Sequence, residues 1–233
     1  MRILVTRPAA EAERLAQRLR DLGHEPILSP AMDIHFENGP ELPFGGVQVI
    51  LVTSANAVRA LARRTEQREI PVFAVGPQTA EVARAAGFAI VQNANGDSNA
   101  LARKVADRVS PCAGKLLYVT GDISSGFIRN ELSQAGFHIE VLQLYRMSER
   151  VALSEAAMAA LDSGTVDAVM LFSPRSARAF VQHVVRAGLQ NQCEKLGALC
   201  ISPAVAEALD PLRFAKVRVA AHPNRDSMLD TLG

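Results

Sequence analysis

Tryptophan is absent from this 233-residue sequence, tyrosine occurs twice and cysteine three times. Cys112, Cys193 and Cys200 are odd in number and lack CxxC spacing. Neither a disulfide framework nor a zinc knuckle is indicated, and a reducing cytoplasm is the natural reading. No stretch approaches the roughly 18 apolar residues of a membrane span. "MRILVTRP" passes straight into a strand pattern, with no apolar segment suited to a signal peptide. Excess charge of one sign is missing too: 25 Lys and Arg against 24 Asp and Glu leave a net charge of +1. Arg14, Arg18, Arg59, Arg63 and Arg84 are scattered over helix faces and form no basic run with interleaved aromatics. Neither nucleic acid nor an acidic membrane surface is therefore expected as the main partner.

Catalytic signatures are lacking as well. There is no GxGxxG, GxxxxGK[ST], HExxH or GxSxG, so no nucleotide cofactor, metal or serine nucleophile is expected. His24, His35, His138, His183 and His222 are dispersed and read as solvated or helix-end residues. Asp97 and Asp122, in "NGDS" and "TGDISSG", read as turn formers. Cys112, beside Pro111 in a loop, reads as incidental.

What the chain does have is apolar content of 48% with 21% charged residues, the balance of a globular protein with a substantial core. Short runs rich in Val, Ile and Leu alternate with segments of helical period. "ILVT" precedes a stretch with Leu15, Leu19 and Leu22 at i, i+4 and i+7. Then come "PILSP", "VQVILVTS", "PVFAVG", "GFAIVQ", "KLLYVTG", "IEVLQLY", "DAVMLFS", "GALCIS" and "AKVRVAA". Runs buried on both faces and joined by helices mean parallel sheets. Ten candidate strands suit two sheets of five better than one.

A repeat supports the division. "ILVTRP…LRDLGHEPIL" resembles "LLYVTGD…LSQAGFHIEVL", "TSANAVRAL" matches "FSPRSARAF", "VGPQTAEVA" matches "ISPAVAEAL", and "GDSNAL" matches "RDSMLD". Two Pro- and Gly-rich or polar segments, 31–46 and 145–155, have linker chemistry. Whether each first repeat packs with the adjacent or the distant second one stays open at this level.

Ser54, Ser98, Ser173, Ser202 and Thr79 sit where strands turn into helices. A hydroxyl there caps the helix by accepting from N2 or N3. Ligands of open parallel sheets also bind at these corners, where helix N-termini present free N–H groups to anions. Several such corners facing one cleft between two domains would hold a ligand with many negative charges. Tyr145 stands apart, a rare tyrosine closing an apolar run at a linker, able to donate a proton or hydrogen bond at neutral pH.

In order along the chain, "ILVTRP", "VTSANAV", "VFAVGPQTA", "GDSNAL", "LYVTGD", "LQLYR", "LFSPRSARAF", "CISPAVAEAL" and "HPNRDSMLDTL" resemble the uroporphyrinogen-III synthase family. The resemblance spans nearly the whole chain. It implies two flavodoxin-like α/β domains with parallel five-stranded sheets: residues 1–33 with 148–233, and residues 38–143, joined by linker strands 34–37 and 144–147. It implies a cofactor-independent, cyclising hydro-lyase acting on hydroxymethylbilane, a linear tetrapyrrole with eight carboxylates that can also close unaided. Loss of its terminal hydroxyl gives an azafulvene, and closure through a spiro intermediate inverts ring D. The enzyme then chiefly folds and orients the substrate, and orientation alone can supply several kcal/mol. The family's linker tyrosine matches Tyr145, proposed to help the hydroxyl leave. Arg7, Thr53, Ser54, Gly76, Thr79, Ser98, Gly121, Ser173 and Ser202 match substrate-binding positions. Where many members carry a Gly-Pro-Thr-Thr corner, this chain has "SPAV", so Ala204 and Val205 bring no hydroxyl. The resemblance also implies a cytoplasmic monomer. The rival readings are a non-catalytic two-domain protein binding an anionic small molecule and, less well matched, a nucleotide-sugar transferase.

Overall fold

The computed structural model describes residues 1–121 and 126–233; Asp122, read above as a turn former, lies outside the described residues. The chain begins β1 (Arg2–Val5), α1 (Ala9–Asp21), β2 (Glu25–Leu28) and β3 (Met32–Phe36). It continues β4 (Val47–Val52), α2 (Ala55–Arg64), β5 (Val72–Ala74), α3 (Pro77–Ala85), β6 (Val91–Asn93) and α4 (Ser98–Arg108). Then come β7 (Lys115–Thr120), α5 (Phe127–Gln134), β8 (Ile139–Gln143), β9 (Tyr145–Glu149) and α6 (Glu155–Asp162). The last part holds β10 (Ala168–Leu171), α7 (Pro174–Arg186), α8 (Gln190–Cys193), β11 (Gly197–Cys200), α9 (Pro203–Glu207), β12 (Lys216–Val219) and α10 (Arg225–Asp230).

Two compact units result: Met1–Asp33 with Ser148–Gly233, and Ile34–Met147. The first holds a five-stranded sheet ordered β12-β11-β10-β1-β2 and the second one ordered β6-β5-β4-β7-β8. Neighbouring strands in both are parallel. The two parallel five-stranded sheets expected from the sequence are thus present. β3 and β9 add an antiparallel pair of their own, with Glu37 N–H donating to Leu144 C=O and Arg150 N–H to Ala31 C=O. These strands are offset by one or two residues from the 34–37 and 144–147 expected for the linkers.

Strand alternation explains how each sheet buries both faces. In the first unit, Ile3, Val5, Ala168 and Met170 pack against Leu15 and Leu19 of α1 and Met228 of α10. Leu4, Val169 and Leu171 face the other way, onto Ala177, Phe180 and Val184 of α7 and Ala157 and Leu161 of α6. In the second unit, Ile50, Val52, Leu117 and Val119 meet α2 and α3 through Val58, Leu61 and Ala83. Val49, Leu51, Leu116 and Tyr118 meet α4 and α5 through Leu101, Val105, Ile128 and Leu132.

His183 lies in the last turn of α7, a helix end as the pattern places it, and is buried there with Nε2 bonded to the Arg150 carbonyl. One sequence reading needs correction. The match of "GDSNAL" with "RDSMLD" is displaced by two residues in space. Asp97 caps α4, whereas in α10 the cap is Asn224, and Ser227 instead accepts from His222 N–H. The shared "DS" pair masked a shift in where each helix starts.

Because each core belongs to one unit, deleting a core side chain should weaken that unit. Phe180→Ala should cost about 3–5 kcal/mol and Leu51→Ala about 2–5 kcal/mol. Hydrogen exchange should show lost protection in the β1/β10 sheet for the first and in the β4/β7 sheet for the second. Equal loss in both sheets for either variant would contradict separate cores.

Candidate active site

A parallel sheet whose connections run outward in both directions from a central pair leaves a crevice beyond the C-terminal ends of that pair. In the first unit the pair is β1 and β10; in the second it is β4 and β7. The residues that follow these four strands are Arg7, Ser173, Ser54 and Gly121. The sequence repeat therefore corresponds to two equivalent crevices, one per unit.

In the first unit Thr6 donates its hydroxyl to Met170 C=O at 2.8 Å, tying the end of β1 to β10. Arg7 then lays its guanidinium over the Phe172 ring, 4.6 Å from the centroid, a cation–π contact that leaves the cation beside the next corner. Ser173, in extended conformation, caps α7 by accepting from Ser176 N–H at 3.1 Å. The two serine hydroxyls also meet at 2.8 Å, and Ser176 donates to Ser173 C=O. This corner's hydroxyls close on their own helix. Ser202 follows β11 at the N-cap of the five-residue α9, but its side chain makes no capping bond.

The second unit's crevice differs. Ser54 caps α2, accepting from Ala57 N–H at 3.0 Å. Its Oγ lies 3.0 Å from the Tyr145 hydroxyl. Tyr145, the first residue of β9, is only 8% exposed and belongs to the same hydrophobic core as Val58 and Leu117. The ring lies so close to Gly121 that a Cβ built there would sit 2.7 Å from Cε2 and Cζ and 3.1 Å from Oη. Gly121 is needed for space, not for its backbone angle. Thr53 approaches the second tyrosine, Tyr118, at 3.4 Å. Thr53, Ser54, Gly121 and Tyr145 thus gather at one crevice.

The remaining expected residues lie along the same strand ends. Gly76 is the N-cap of α3, with Pro77 beginning the helix and nothing within 4 Å of a Cβ built on it. Thr79 sits in the first turn of α3 and is buried. Ser98 is the first residue of α4, not its cap. Asp97, read above as a turn former, caps α4 with its carboxylate accepting from Ala100 N–H at 3.0 Å. That bond, with a further one from the Asn99 side chain, holds the Asp97 carboxyl below its ordinary value. Burial pushes the Cys193 and Cys200 thiols up to about 11, so both stay protonated and unreactive. Sequence reasoning missed Phe172, Tyr118 and Ser176. Phe172 and Tyr118 sit inside or beside apolar strand runs, where core packing is the plain reading, and Ser176 is signalled only by its spacing of three from Ser173.

Among the described residues no group of three His, Cys, Asp or Glu side chains is placed to hold a metal ion, and no helix is long and apolar enough to cross a membrane.

A family model described as uroporphyrinogen-III synthase HemD matches residues 13–230. Among solved structures, the uroporphyrinogen-III synthetase of Helicobacter pylori is similar at a TM-score of 0.67 and 16% identity, covering 100% of this chain and 98% of that one. A mutant uroporphyrinogen III synthase of the extremely thermophilic bacterium Thermus thermophilus gives a TM-score of 0.55 and 18% identity, over 100% and 97%. Among curated proteins none matches.

Gly121→Ala should displace the Tyr145 ring. With no tryptophan and two tyrosines in the chain, the near-ultraviolet circular dichroism reports these rings directly. We expect a changed tyrosine band and a lower melting temperature; an unchanged spectrum would show that the ring does not rest on Gly121.

Proposed function

The chain belongs to the uroporphyrinogen-III synthase family, and from that membership we propose which of its residues take part in the reaction. The reaction is the closure of hydroxymethylbilane to uroporphyrinogen III, with inversion of ring D and loss of water. We assign it as a cyclising lyase that needs no metal or cofactor and acts as a cytoplasmic monomer. The dispersed histidines and the lack of any nucleotide-binding motif support that assignment.

The observation that carries the reading is the placement of Tyr145: a phenol at the β4/β7 crevice, its oxygen 3.0 Å from Ser54 and its ring set on Gly121. The pyrrole nitrogen's electrons expel the terminal hydroxyl. As the carbon–oxygen bond breaks, Tyr145 gives its proton to the departing oxygen, which leaves as water. The pyrrole N–H proton, lost when the azafulvene forms, restores the phenol through solvent. Ring closure onto the substituted carbon of ring D follows, directed by how the bilane is folded.

The carboxylates are held at the strand-end corners of both units. Backbone N–H groups at the starts of α2, α3, α4 and α7 and the Arg7 guanidinium suit acetate and propionate groups. Thr53, Ser54, Gly76, Thr79, Ser98, Gly121, Ser173 and Ser202 flank these positions. Thr79 lies buried in the first turn of α3.

Purified protein given fresh hydroxymethylbilane should yield mainly the type III isomer with nothing added; product that is all type I would end the reading and favour a binding protein. Tyr145→Phe keeps the ring in its packing and removes the donor. General acid assistance is typically worth about 100- to 10,000-fold. A substrate that ionises readily by itself places the loss in turnover near the lower end, with the isomer ratio retained. Arg7→Ala should raise KM more than it lowers kcat, and the rise should shrink at high salt as screening takes over. An unchanged KM at low salt would return Arg7 to its stacking on Phe172.

A further inference from the structure

We propose that Ser54 is a positioning residue for the reaction, acting through Tyr145 and not on the bilane's carboxylates. The inference rests on the reading of Tyr145 as the group that assists loss of the hydroxyl.

The two equivalent corners differ in how the cap serine uses its hydroxyl. A serine hydroxyl has one proton to give and two lone pairs. In both corners the cap serine accepts from the N–H three residues on, Ser173 from Ser176 and Ser54 from Ala57. In the first unit that third residue is itself a serine, and its hydroxyl occupies the cap at 2.8 Å. In the second unit Ala57 stands at that place and has no hydroxyl. The remaining capacity of Ser54 is turned instead to the Tyr145 oxygen, 3.0 Å away. With alanine at the third position, and with Tyr145 set on Gly121 beside it, the second corner becomes a hand-off from a helix N-terminus to a phenol.

The direction of that bond matters chemically. When Ser54 donates to Oη, the phenol keeps its own proton to give to the leaving hydroxyl. The Ala57 N–H already bonded to Oγ polarises the serine toward donating. As Tyr145 gives its proton to the leaving hydroxyl, negative charge collects on Oη, and the Ser54 O–H bond to it strengthens. Ser54 neither gains nor loses a proton in the step. Gly121 serves the same end from the other side, since its missing side chain fixes the ring where Oη reaches Ser54.

The decisive substitution is Ser54→Gly. Glycine is nearly as good an N-cap as serine, whereas alanine is not, so the hydroxyl is lost with little damage to α2, and the melting temperature should stay close to wild type. A hydrogen bond to a charged group corresponds to a factor of about 10 to 100, so kcat should fall in that range with KM little changed. Ser54→Thr, which restores a hydroxyl, should recover most of the rate. In a Tyr145→Phe background, Ser54→Gly should cost nothing further, because the group it acts through is gone. A rise in KM with kcat unchanged would overturn the proposal and make Ser54 a substrate-binding residue. Losses that multiply in the double variant would overturn it too. A Tyr145→Phe variant of wild-type turnover would sink the reading of Tyr145 and this inference with it. A slow Tyr145→Phe beside a fully active Ser54→Gly would sink only the inference.

Discussion

The fold hangs on the pairing of β1 with β10, strands separated by more than half the chain. Ile3 registers with Ala168 and Val5 with Met170. The Arg2 N–H donates to the Asp167 carboxylate at 2.6 Å, and the Thr6 hydroxyl ties off the other end. For those two strands to meet, the chain must leave the first unit after β2, complete the second and come back. It therefore crosses twice, and the two crossings pair as β3 and β9. The position of Tyr145 is a consequence. It is the first residue of the returning strand, at the point where the second unit's last sheet strand has just ended. Long-range pairing of this kind closes a large loop, at an entropy that grows only slowly with loop length. The buried faces of β1 and β10 offset it.

The duplicated architecture makes two crevices, but the sequence has made them unlike. Where the first unit places Arg7 against Phe172, the second has Gly121 under the Tyr145 ring. Where the first caps its helix with a pair of serines, the second has one serine and an alanine. A cation with a closed cap suits holding an anion; a phenol with an open cap suits moving a proton. The same backbone geometry thus presents two unlike sets of side chains.

Much of this was legible in the sequence because parallel strands buried on both faces write themselves as unbroken Val, Ile and Leu runs. The repeat showed that each half carries the same strand–serine–helix corner. What stayed hidden has a common physical cause. Helix starts were misplaced where two capping residues stand side by side, as with Asp97 before Ser98, since either can accept the same N–H groups. Burial of His183 and Thr79 depends on packing around them that no local pattern encodes. The closeness of Tyr145 to Gly121 joins residues far apart in sequence, and a glycine required for space looks the same as one required for a turn. The Ser173–Ser176 pair has a signature, spacing of three, but its meaning emerges only beside the Ser54–Ala57 pair.

The central claim is that the Tyr145 proton moves to the departing hydroxyl. A solvent deuterium isotope effect on single-turnover consumption of hydroxymethylbilane reads that proton directly. The account predicts a normal effect in the wild-type protein and one close to unity in Tyr145→Phe, whose slower reaction proceeds without a donor from the chain. The same isotope effect in both proteins would contradict it.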